Sequence, residues 1–119
     1  MKEVLKERTK KFAIECWRLC AKYDKGREYD AFCRQLIRCS SSVGANYRAA
    51  CRAKSTADFV NKLKIVEEGT DETMYFLEIL KEIDNKHQIE IKILYAEANE
   101  LLSIVVASIK TIKNRKDQR

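Results

Sequence analysis

The chain has 119 residues, 45% of them hydrophobic, with no proline and three glycines. That length fits one domain, 1–119, and that apolar content excludes a disordered chain, while the scarcity of helix breakers favours long helices joined by short turns. Lys and Arg number 24 against 18 Asp and Glu, a net charge of +6 that suits contact with an acidic partner.

No apolar run approaches the roughly 20 residues of a membrane span, and Met1–Lys11 is too charged for a secretory signal. The reading is therefore a cytoplasmic protein with no membrane contact. Its five cysteines, Cys16, Cys20, Cys33, Cys39 and Cys51, fit reduced thiols that pack as small hydrophobes.

The first periodic segment spans about Glu3 to Tyr23. Phe12, Cys16, Leu19 and Tyr23 recur at helical spacing, with Ile14 and Trp17 nearby, and Gly26 is placed as its C-cap. The second spans about Tyr29 to Ala53, with Phe32, Leu36, Cys39, Val43, Tyr47 and Ala50 inward. Its middle, Ser40 to Asn46 with Gly44 inside, reads locally as a turn. The apolar spacing stays in phase across it, so one continuous helix is expected, with small residues that let a neighbouring helix approach.

Ser55 is the predicted N-cap of the third helix, and Asp58 stands where a capping box carries its acid. That helix runs to about Asp84 with Phe59, Leu63, Val66, Thr70, Leu77 and Leu80 inward. Asn85-Lys86-His87 is the last turn, with His87 read as an exposed polar residue. From Gln88, Ile91, Leu94, Ala98, Leu101, Val105 and Ile109 carry a fourth helix to about Lys113. The fold class is all-α, an antiparallel up-and-down four-helix bundle. A basic tail begins at about residue 110, with Lys110, Lys113, Arg115, Lys116 and Arg119.

No catalytic or metal site is read from the residues, and no cofactor is expected. One histidine and no CxxC pair leave zinc and iron–sulfur sites without ligands. There is no Glu-x-x-His pair for a di-iron centre, no P-loop and no GxGxxG. Ser40, Ser41 and Ser42 have no base near them in sequence. Glu67, Glu68, Asp71, Glu72, Glu78 and Glu82 read as a solvated helix face.

The pattern that stands out is a stripe of arginines on the second helix. At the usual turn of about 100° per residue, with Arg34 at the origin, Arg38 lies at about +40°, Arg48 at about −40°, and Arg52 returns to about zero. Ser41 and Ala45 separate them. The planar guanidinium fork holds phosphate or carboxylate bidentately. The stripe therefore either grips nucleic-acid phosphates or pairs with the acidic third helix, within one chain or between subunits. The residues alone favour the ion-pair reading slightly, because opposite charge is abundant nearby.

The run from Gln35 through Ser42-Val43-Gly44-Ala45-Asn46-Tyr47-Arg48-Ala49-Ala50 to Ala53 resembles the family of four-helix-bundle proteins encoded in intervening sequences of bacterial 23S rRNA genes, also called S23 ribosomal proteins. The likeness continues through Asp58-Phe59, Ile65-Val66-Glu67-Glu68 and Glu72 to Glu78. The family pattern maps onto Gln35, Arg38, Ser42, Asn46 and Glu72, and many members carry Asn-Ile-Ala-Glu-Gly where this chain has Asn46-Tyr47-Arg48-Ala49-Ala50. The resemblance implies a homopentamer around a central channel. It also implies kinship with the accessory protein of diversity-generating retroelements, whose partners are a reverse transcriptase and nucleic acid. It tips the stripe towards binding RNA or another nucleic acid, with a structural role in subunit contacts as the alternative.

Overall fold

The computed structural model describes residues 1–117. Four helices follow one another: α1 Lys2–Ala21, α2 Arg27–Cys51, α3 Thr56–Ile83 and α4 Gln88–Asp117. Each packs on its neighbour in sequence, and α4 closes back on α1. The result is an up-and-down four-helix bundle, a rod of 54 × 22 × 20 Å. No helix among the described residues is long and apolar enough to cross a membrane.

Most of the inward positions that periodicity picks out form the core, while Tyr23, Phe32 and Phe59 are half-buried at its edge. Phe12, Cys16 and Leu19 of α1 meet Leu36, Val43 and Tyr47 of α2, Leu63, Leu77 and Leu80 of α3, and Ile91, Leu94 and Leu101 of α4. Burying each large aliphatic side chain is worth about 1.5–3 kcal/mol relative to leaving it in water. Four small polar residues also lie inside, and each hydroxyl is satisfied by its own helix. Thr9 donates to the Leu5 carbonyl at 2.8 Å, Thr70 to Val66 at 2.7 Å, Thr73 to Gly69 at 2.7 Å and Ser40 to Ile37 at 3.3 Å. A buried hydroxyl bonded backwards in this way costs little.

The Ser-Gly segment does not break α2. Its small residues sit at the two closest helix approaches instead. A Cβ added at Gly44 would lie 3.3 Å from Thr9 Oγ1 on α1, and one at Gly69 of α3 would lie 3.3 Å from Ser42 Oγ on α2. The middle of α2 is thus gripped from both sides, which a larger residue would prevent.

Two local expectations need correction. Gly26 is not the C-cap of α1: Lys22 holds that place in right-handed helical geometry, and Gly26 is the extended N-cap of α2 with its carbonyl accepting from Asp30 N at 3.0 Å. The connection needs no left-handed residue, because Tyr23 anchors it by tertiary contact, its ring stacked on Tyr29 at 4.7 Å. Ser55 does cap α3, accepting from Asp58 N at 3.1 Å. The Asp58 carboxylate, however, reaches one residue past the cap, to Lys54 N at 3.2 Å, and also takes Lys62 Nζ at 2.9 Å.

His87 also departs from expectation, since its side chain is largely buried rather than exposed. Asp84, only 2% exposed, accepts from Tyr23 Oη at 2.6 Å, from Lys86 N at 2.8 Å and from His87 N at 3.2 Å, with His87 Nδ1 3.0 Å away. Gln88 adds a bond to Lys81 O. This knot ends α3, starts α4 and ties both to the α1–α2 connection.

The α1–α4 seam is the sparsest of the four contacts. Ion pairs supplement it. Arg8 forks onto Glu97 at 2.6 and 3.1 Å and reaches Glu100 at 3.3 Å, and Lys22 pairs with Glu90 at 3.1 Å. The Glu97 carboxylate raises the Arg8 pKa above its ordinary value despite partial desolvation.

Of the basic tail, Lys110, Lys113 and Arg115 take exposed positions on α4, so this stretch continues the helix. The side chain of Lys116 and the whole of Arg119 lie outside the described residues.

Candidate nucleic-acid interface

All four arginines are exposed, Arg34, Arg38 and Arg48 on α2 and Arg52 at its C-cap, because the helix ends at Cys51 rather than at the expected Ala53. They divide into two groups by their partners. Arg38, at the α3 edge, donates to Glu72 Oε2 at 2.5 Å and to Gln35 Oε1 at 2.9 Å. The Glu72 carboxylate raises the Arg38 pKa. Among the described residues, the guanidinium groups of Arg34, Arg48 and Arg52 enter no hydrogen bond or ion pair. The acidic third helix therefore neutralises one arginine of four within the chain.

The other family-pattern residues cluster beside this pair. Gln35 and Glu72 hold the Arg38 guanidinium between them. Asn46 Nδ2 donates to Ser42 O at 2.9 Å and Ser42 Oγ at 3.2 Å, one turn along the same helix and next to the Gly69 contact. These residues order the α2–α3 side of the stripe.

The α1 side carries two shallow grooves that form only where α1 and α2 lie side by side. Along the N-terminal half of α1, Arg48, Ser41 and Ala45 of α2 face Lys6, Lys10 and Ile14 across about 600 Å³. Towards the α1–α2 connection, Arg34 and Ile37 face Trp17, Ala21 and Lys25 across about 360 Å³. Lys6 is held by Glu3 at 3.1 Å, and Glu7 and Asp30 also line these stretches. The two grooves are thus bordered by Arg34 and Arg48 of α2, by Lys6 and Lys10 of α1, and by Lys25 of the connection. The signal for them was present in the sequence: Lys10, Ile14, Trp17 and Ala21 recur at three- and four-residue spacing outside the core stripe of α1. Ile14 and Trp17, near the apolar face of α1 in sequence, are 40% and 57% exposed.

Among the described residues, no group of three or more His, Cys, Asp or Glu is placed to hold a metal ion. His87, the one imidazole, is engaged by Asp84 at the bundle end, whereas Ser40 and Ser42 bond within α2. What the surface can do chemically is hold anions.

Residues 2–107 match the family model for the 23S rRNA-intervening sequence protein. The chain belongs to that family. It is also similar to the crystal structure of a protein of unknown function from the S23 ribosomal protein family of Bacteroides thetaiotaomicron VPI-5482. The two share 31% sequence identity at a TM-score of 0.80, over 92% of this chain and 99% of the other. No curated protein matches the chain. The family membership agrees with the bundle and with the Gln35–Glu78 pattern that carries the resemblance.

Proposed function

We propose that this member of the 23S rRNA-intervening sequence family is a non-enzymatic, oligomeric protein that binds RNA through the outer face of α2. Arg34, Arg48 and Arg52 hold phosphates, and Arg38, already shared with Glu72, contributes less. The single observation that carries the reading is that three exposed guanidinium groups, two on α2 and one at its C-cap, have no carboxylate partner among the described residues. An unpaired guanidinium keeps its full fork available for a phosphate.

The homopentamer implied by the resemblance belongs to the same reading. Ile89 and Ile93 on α4, 72% and 64% exposed, supply apolar surface that a neighbouring copy would cover. So do the single-domain use of residues 1–119 and a cytoplasmic location. A reverse transcriptase would be the partner in the retroelement branch. The matched family and the related structure carry rRNA and S23 names, which favour RNA.

The test is binding of the assembled protein to a structured RNA across a series of salt concentrations. Counterion release by three phosphate contacts gives log K against log salt a slope of about −2 to −3. A slope near zero, or no binding at low salt, rejects the reading. Sizing of the same sample distinguishes the structural alternative: if replacing Arg48 and Arg52 with alanine dissolves the oligomer, the stripe belongs to subunit contacts.

A further inference from the structure

One groove beside the arginine stripe contains a side chain that phosphate binding does not use. Trp17, the one tryptophan of the chain, is 57% exposed on α1. A scattered exposed aromatic is ordinary on a protein surface. This one is not scattered, because it shares its groove with Arg34 and Lys25 and with the apolar side chain of Ile37. An aromatic face bordered by unpaired cations matches the two halves of a nucleotide: the base has a flat π-face for the indole, and the phosphate a charge for the guanidinium. A base inside an uninterrupted duplex cannot offer that face, since both its sides are covered by its neighbours in the stack.

We infer that the Trp17–Arg34 groove between α1 and α2 holds an unpaired nucleotide, with its base stacked on Trp17 and its phosphate on Arg34. The ligand of the stripe is then a single-stranded or looped stretch of RNA. This rests on the RNA-binding reading and specifies which form of RNA is taken. Arg48, in the second groove further along α2, meets the backbone of a more distant nucleotide of the same strand. Asp30 is the negative group lining this stretch, and it sets a local cost for phosphate approach.

The test uses the intact assembled protein and two unlabelled probes, a single-stranded oligoadenylate RNA and a blunt RNA duplex of equal length. Because Trp17 is the sole tryptophan, its fluorescence reports the groove directly. Oligoadenylate is expected to quench it and to bind more tightly than the duplex. Trp17→Ala is expected to weaken oligoadenylate binding about tenfold, the size of one lost base–aromatic stack, and to leave duplex binding unchanged. Trp17→Phe, which keeps an aromatic face, is expected to retain most of the affinity, and Asp30→Asn to increase it. Circular dichroism checks that each variant keeps its helices. Equal binding of both probes, with no quenching and no effect of Trp17→Ala, overturns the stacking site and leaves the RNA reading standing. Absence of binding to either probe overturns both.

Discussion

Tyr23 donates a hydrogen bond of 2.6 Å to a carboxylate that the fold buries almost completely, Asp84. Burial alone would push the Asp84 pKa up. The bonds from Tyr23, the Lys86 amide and His87 outweigh it and hold the carboxyl below its ordinary value, while burial and the same carboxylate push the Tyr23 phenol up. A group whose folded pKa is depressed contributes stability that is present above its unfolded value, about 3.9 for Asp, and lost as pH falls through the lower folded value. Thermal melts of the wild type should therefore lose stability below about pH 4, and Asp84→Asn should show a smaller loss over that interval. At neutral pH, Asp84→Ala should cost about 2–3 kcal/mol, because it leaves the Tyr23 hydroxyl and two amide donors unpaired. A flat acid profile for the wild type would refute this account.

Gly44 makes a second prediction. Replacing it with alanine adds helix propensity of about 1 kcal/mol, against a new contact at the crowding limit with Thr9 Oγ1. Thr9 cannot swing away freely, since its hydroxyl is bonded to Leu5 O. The two effects nearly cancel, so Gly44→Ala should change stability by less than about 1 kcal/mol. Gly44→Leu forces α1 and α2 apart and should cost about 1–3 kcal/mol or more. Urea unfolding midpoints measure both.

On the proposed RNA-binding surface, Arg48→Ala with Arg52→Ala should weaken RNA binding and make the salt slope shallower by about two, leaving the melting temperature in place because these guanidinium groups make no hydrogen bond or ion pair within the fold. Glu72→Gln works in the opposite direction. It releases Arg38, so affinity should rise and the slope steepen by about one. Fluorescence anisotropy at several salt concentrations distinguishes these outcomes from a general loss of folding.

The cysteines give a fourth. Burial pushes the Cys16 thiol up to about 12 and also raises Cys39, so both are poor in reactive thiolate as well as shielded from solvent. Cys20 Sγ donates to the Cys33 carbonyl oxygen at 3.8 Å, and the neighbouring Cys33 thiol together with burial raises the Cys20 pKa. Native alkylation with iodoacetamide, read by mass spectrometry, should label half-buried Cys51 early and spare Cys16 and Cys39 until the protein unfolds. Early labelling of Cys16 would mean that the α1–α2 core opens on that timescale.

Most of the bundle was legible because its core obeys one period. Every inward residue named for α4, from Ile91 to Ile109, is buried, and the in-phase spacing around Gly44 correctly outweighed the local turn signal. What periodicity missed depends on contacts between distant segments. Gly26 carries the composition of a C-cap, but the Tyr23–Tyr29 and Tyr23–Asp84 contacts decide where the chain turns. His87 looked like a loop residue because its partner, Asp84, takes its importance from a tyrosine 61 positions earlier. The arginine stripe was visible as an angular coincidence on one helix. Its pairing was not, since which of four arginines meets Glu72 follows from how α2 lies against α3. The grooves at Lys10 and at Trp17 likewise need two antiparallel helices side by side.

The double grip on α2 has a consequence for how this protein can change. Its inner side, at Cys39, Val43, Gly44 and Tyr47, is committed to two neighbours at once, while the stripe at Arg34, Arg48 and Arg52 is bound to none. The proposed recognition and the architecture use opposite sides of α2, interleaved in sequence and separate in energy. Such a helix can be re-addressed: new side chains at three outward positions would alter what the surface holds while the scaffold beneath them stays as it is.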